Sequence, residues 1–85
     1  MSKTILVVLI GNRKDAAVNV QKVLTGWGCH IKTRLGIHDG VLDDCSDEGL
    51  VILELVGDKD KHDEMTRKLN LINGVKAQLI LLTLD

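Results

Sequence analysis

Gly11-Asn12-Arg13 joins an apolar run to a helical pattern, and its residue types suit anion binding. A helix start presents unbonded backbone N–H groups, and glycine lets a ligand approach them closely. An arginine can grip a carboxylate or phosphate through two parallel N–H bonds. Arg34, two residues before Gly36, is a second cation that can join the site. Gly11, Asn12, Arg13 and Arg34 are therefore the candidate site for a small anionic ligand. The competing reading is an ordinary turn in which the Asn12 side chain caps the helix and Arg13 is solvated. In that reading Arg34, on the polar face of its strand, pairs with Glu54 across a sheet or between subunits.

Other clusters are less productive. His30, His38 and His62, with Cys29 and Cys45, are the residue types that hold nickel or zinc. No H-x-x-x-H or C-x-x-C brings two of them together locally, and alternation along a strand turns Cys29 and His30 to opposite faces. No metal site is expected from them, and a metal-responsive (Ni/Zn) regulator stands only as an alternative. The acidic run Asp43-Asp44-Cys45-Ser46-Asp47-Glu48 lacks the glycine spacing of a calcium loop. Carboxylates around Cys45 disfavour its thiolate, so no reactive nucleophile is expected there. Ser2 and Ser46 have no base beside them, and no phosphate-binding or dinucleotide-binding glycine motif is present. The expectation is that the chain is not an enzyme and uses no cofactor.

The elements that must position these residues are legible from periodicity. Thr4 to Ile10 is an apolar run rich in β-branched residues that ends at Gly11, which is a strand and a turn. Ala16, Ala17, Val20, Val23, Leu24 and Trp27 recur at three- and four-residue intervals, which predicts a helix stopped by Gly26 and Gly28. Cys29 to Ile37 alternates as a strand, His38 to Glu48 reads as an exposed acidic hairpin loop, and Leu50 to Val56 is a third strand. Asp58 opens a second helix with Met65, Leu69 and Ile72 on its core stripe and His62 near its start. Gly74 then supplies a left-handed stop before a strand from Val75 to about Leu84.

The order β-α-β-β-α-β predicts an α+β, ferredoxin-like βαββαβ sandwich: a four-stranded antiparallel sheet, first and third strands central, both helices on one face. Residues 1–85 are expected to form one domain, since 85 residues leave no room for a second core.

Charge narrows the partners. Eleven basic and twelve acidic residues give a net charge of −1, so no basic excess draws the chain directly onto nucleic acid or a membrane surface. Trp27 is the lone aromatic, too few for stacking single-stranded bases. Two cysteines far apart, with no secretory signal and no apolar run long enough to span a bilayer, fit a cytoplasmic protein.

The strands carry more apolar residues than one core needs. The first strand offers Ile5, Val7 and Leu9 to one face and Leu6, Val8 and Ile10 to the other. The third and fourth are similar, whereas a sheet with one wet face alternates cleanly. An aliphatic patch of that size exceeds what monomers expose. The expected partner is a second copy, as a homodimer or homotetramer, with Leu6, Val8, Ile10, Leu50, Ile52, Ile80 and Leu82 at the oligomer interface. Recruitment of another protein, as a pure interaction or assembly module, is the alternative.

Several segments in order carry a family resemblance: Arg13-Lys-Asp-Ala, Val20 to Leu24, Ile31 to Gly36, Leu50 to Leu55, Gly57-Asp58, Lys68-Leu69 and Gly74-Val75-Lys76. Over almost its whole length the chain resembles the small ACT-like regulators of the iron-only hydrogenase system. That resemblance implies an ACT-like fold, oligomerisation and a regulatory, ligand-sensing role, exerted on transcription only through a partner. It implies no catalytic residue. It also implies that an amino-acid ligand would lie beside the turn after the first strand, here Gly11-Asn12-Arg13. The family's usual carboxylate before that turn is replaced by Ile10.

Overall fold

The computed structural model describes residues 1–38 and 47–84, with the His38 side chain excepted. Four strands, β1 (Ser2–Ile10), β2 (Ile31–His38), β3 (Gly49–Leu55) and β4 (Val75–Thr83), form one antiparallel sheet in the order β2-β3-β1-β4. Helices α1 (Arg13–Gly26) and α2 (Lys59–Asn70) cover one face of it. This is the ferredoxin-like sandwich that the element order predicts. Cys45 and most of the expected acidic hairpin lie outside the described residues.

The core forms where the apolar stripes of the helices meet one parity of each central strand. Leu6 and Val8 of β1 and Leu53 of β3 are fully buried against Val20 and Leu24 of α1 and Met65 and Leu69 of α2. The interface expected at Leu6, Val8 and Ile10 is thereby corrected. These three are 0%, 0% and 4% exposed and belong to the helix-facing core, so their neighbours Ile5, Val7 and Leu9 take the open face. Leu50, Ile52, Ile80 and Leu82 do fall on that open face, because Leu9 pairs with Leu50, Val7 with Ile52, Ile5 with Ile80 and Lys3 with Leu82.

β2 begins later than its alternation predicts. Gly28–His30 is a single 3-10 turn, closed by the His30 N–H on the Trp27 carbonyl at 2.9 Å, so Cys29 and His30 precede the strand. The His30 ring lies edge-on to Trp27, with centroids 5.7 Å apart, and presses on Gly57. Gly57 has φ +93, and a Cβ there would come within 2.9 Å of the imidazole, so both backbone and space demand glycine. Lys32 is then an extra residue: Ile31 opposes Leu55 while Thr33 opposes Glu54. That bulge reverses the parity of everything after it.

The free edge of β4 is partly closed. The Asn70 side-chain amide donates to the Ala77 carbonyl at 3.0 Å and accepts the Ala77 N–H at 2.7 Å, standing in for a neighbouring strand. Among the described residues no helix is long and apolar enough to cross a membrane.

Candidate functional site

The turn after β1 is tied across the fold. The Gly11 N–H donates to the Gly74 carbonyl at 2.8 Å, joining it to the turn between α2 and β4. Gly74 has φ +79, and a Cβ there would overlap the Asn12 side chain, so Asn12 lies against the bare glycine. Asn12 accordingly does not cap α1 with its side chain. Its backbone carbonyl takes the N–H groups of Asp15 and Ala16 at 3.0 and 2.9 Å, and its Oδ1 is buried without a hydrogen-bond partner.

Asp47 does the capping. Its carboxylate accepts the Lys14 N–H at 2.7 Å, and its backbone carbonyl accepts the Arg13 N–H, also at 2.7 Å. A carboxylate gains from the positive end of the helix dipole as well as from the bond, which a neutral amide does not. The helix start expected to receive a free anion therefore already holds one from the chain itself. No local signal announces this, because Asp47 is far from α1 in sequence.

Arg13 and Arg34 nevertheless converge. The bulge at Lys32 sends Arg34 to the helix side, where it pairs in register with Leu53 and, with Arg13, lines an open cleft of about 290 Å³. Gln21 of α1 forms one wall, and Gly36, Gly49 and Val51 lie along the sheet side. Gly49 lets the Arg13 side chain lie close to β3, since a Cβ there would sit 3.2 Å from the Arg13 Cδ. The expected Arg34–Glu54 pair is corrected by the same bulge. Glu54 is on the open face, where Lys3 Nζ lies 3.1 Å and Lys32 Nζ 3.9 Å from its carboxylate. Gln21 and Gly49 were not legible as site residues, because only the fold brings them to Arg13.

His62 is buried on the core stripe of α2, and its Nε2 lies 2.8 Å from the Val56 carbonyl, which can only accept, so Nε2 carries the proton. Cys29 is exposed in the 3-10 turn. Among the described residues no three His, Cys, Asp or Glu side chains are grouped to hold a metal ion. Titrations moved from their ordinary ranges lie on the exposed side of α2. A hydrogen bond to Asp63 raises Lys59, and one from Arg67 lowers Glu64.

The open-sided βαββαβ sandwich is a ferredoxin-like fold shared with solved ACT domains and PII-like proteins. An uncharacterized protein from Thermotoga maritima, TM1266, superposes with a TM-score of 0.81 at 24% identity, covering 98% of this chain and 100% of that one. The ACT domain from the GTP pyrophosphokinase of Chlorobium tepidum gives 0.61 at 20% identity, covering 94% and 97%. CPII from Thiomonas intermedia K12, a nitrogen regulatory PII-like protein bound to ADP, AMP and bicarbonate, gives 0.61 at 9% identity, covering 100% and 97%. None of these three is described as a regulator of the iron-only hydrogenase system. The sequence matches no protein-family model and no curated protein.

Proposed function

We propose that the chain is a small ligand-sensing regulatory module that works as a homo-oligomer in the cytoplasm and transforms no substrate. The observation that carries this reading is that Arg13 and Arg34, from different elements, line one cleft together with Gln21, two glycines and six apolar residues. Two arginines in an otherwise mostly aliphatic cleft suit a small anion with an apolar part, such as a carboxylate, better than a neutral ligand. The ACT-like fold supports the reading, as does the resemblance to regulators of the iron-only hydrogenase system. Any effect on transcription passes through a partner, because neither charge nor fold offers a nucleic-acid surface.

A thermal-shift panel of amino acids, short carboxylates, bicarbonate, phosphate and nucleotides tests it. At least one anion should raise the melting temperature of the parent chain, and Arg34→Ala and Arg13→Ala should each remove that rise. No stabilisation by any of them would sink the ligand-sensing reading.

A second reading, a pure assembly module, is favoured by the apolar open face of the sheet, where Leu9, Leu35 and Leu82 are 53%, 52% and 59% exposed. It predicts a partner protein retained without any small ligand, and unchanged by Arg34→Ala.

A further inference from the structure

The open face of the sheet has a pattern that selects one way of meeting a second copy. Its side chains fall into three rows across the strands β2, β3, β1 and β4. They are Thr33-Glu54-Ile5-Ile80, Leu35-Ile52-Val7-Gln78 and Ile37-Leu50-Leu9-Lys76. Thr33 and Glu54 occupy one corner, with Lys3 and Lys32 gathered on Glu54. Gln78 and Lys76 occupy the opposite corner. Every other position in the three rows is aliphatic, and Leu82 extends the band beyond Ile80. The apolar residues thus run as a diagonal band from Ile37 to Leu82, with polar residues only at the two corners beside it.

Strand spacing of about 4.8 Å and an advance of about 6.7 Å per row make this block roughly 14 by 13 Å, close to square. A two-fold axis along the diagonal band therefore superposes rows of one copy on strands of the other. It lays band on band and brings the Glu54 corner of each copy over the Lys76 corner of its mate. The strands then cross at about 90°, one of the two packings that sheets adopt. Aligned packing puts both polar corners over aliphatic residues instead.

Resting on the homo-oligomeric reading above, we propose that two copies pack open face to open face with their strands crossed, Glu54 of each lying over the Gln78–Lys76 corner of the other, within side-chain reach of Lys76. Four strands of seven to nine residues present a face on the order of 500 Å², so the pair buries at most on the order of 1,000 Å², at the threshold for a specific interface. The β4 edge is a poorer meeting place, because Asn70 already occupies the Ala77 backbone groups.

The full chain with Cys29→Ser and Cys45→Ser tests the geometry. In the crossed arrangement Ile52 lies beside the axis, about 10 Å from its mate across the two stacked sheets, so Ile52→Cys should be joined to its mate by a short bifunctional thiol reagent. With the two sheets about 10 Å apart, Leu9 is roughly 17 Å from its mate when strands cross but about 11 Å away when they align side by side, so Leu9→Cys should stay unlinked by that reagent. Glu54→Lys and Lys76→Glu should each weaken self-association at least tenfold, and mixing the two should restore a dimer, since both cross-pairs then match. Circular dichroism confirms that each variant is folded. A dimer that links through Leu9→Cys, or charge variants that fail to complement, would overturn the crossed arrangement while leaving self-association standing. A 9.3 kDa monomer by light scattering at high concentration would overturn both.

Discussion

Replacing Asp47 with alanine should separate its capping role from the charge it carries. Asp47 supplies the side-chain acceptor for the Lys14 N–H at 2.7 Å, while its backbone carbonyl bond to Arg13 survives any substitution. Losing an N-cap acceptor costs about 1 kcal/mol. Losing a carboxylate from the positive end of a helix costs roughly 0.3–1 kcal/mol more. The sum, about 1–2 kcal/mol, corresponds to a fall in Tm of about 5–15 °C for a domain of this length. Asp47→Asn keeps an oxygen acceptor and loses the charge, so its fall should be at most half as large. Thermal unfolding followed by circular dichroism measures both. Added sulfate should restore part of the Asp47→Ala loss by occupying the vacated helix start, and chloride at equal ionic strength should not. An unchanged Tm in Asp47→Ala, or equal falls in the two variants, would refute the argument that this carboxylate caps α1.

Further outcomes follow from the same contacts. Gly74→Ala should destabilise by about 1–2 kcal/mol from its left-handed backbone alone, and by more because the new methyl overlaps Asn12. Adding Asn12→Ala should recover the second part and not the first, and urea unfolding of the double-mutant cycle reads the difference. Val8→Asp buries an unpaired carboxylate in the core and should unfold the chain, whereas Ile52→Asp should keep a native circular dichroism spectrum and yield a monomer. Glu64 is held below the ordinary carboxylate range by Arg67, so its stabilisation is present above that range and lost as pH falls through the depressed value. The pair is exposed, so the gap in Tm between parent and Glu64→Gln should be small at neutral pH and close on acidification.

Element order, helix stripes and the role of Gly74 were legible because each depends on neighbours in sequence. Which face of β1 meets the helices was not. Ile5, Val7 and Leu9 are as apolar as Leu6, Val8 and Ile10, so alternation carries no sign of direction there. The parity of β2 was lost for another reason. Cys29-His-Ile-Lys-Thr-Arg-Leu alternates without interruption as a sequence, yet a 3-10 turn takes the first two residues and Lys32 is a bulge. Nothing in residue type marks that bulge; the packing of Ile31 against the core on one side and the pairing of Thr33 with Glu54 on the other impose it. Asn12 was a sound cap by residue type and was displaced by a carboxylate that only the fold delivers.

That displacement moves the weight of ligand recognition. A free anion at the start of α1 would compete with a tethered carboxylate, whose effective concentration is on the order of millimolar or higher. The cleft lined by Arg13 and Arg34 does not depend on the Lys14 N–H, and β2 contributes residues both to it and to the open face. Arg34, Gly36 and Ile37 of β2 line the cleft, while Leu35, between Arg34 and Gly36 in the chain, pairs with Ile52 on the open face. A ligand that draws Arg34 toward Arg13 must carry Leu35 with it. By linkage, whatever factor the ligand changes in self-association, self-association must change in ligand affinity. Sedimentation of the parent chain with and without a stabilising anion should give a shifted dimer constant. Calorimetric titration of Ile52→Asp, held monomeric, should give a ligand affinity altered by the same factor. A dimer constant that the anion leaves unchanged, with equal affinities in the two chains, would show that β2 does not connect the two faces.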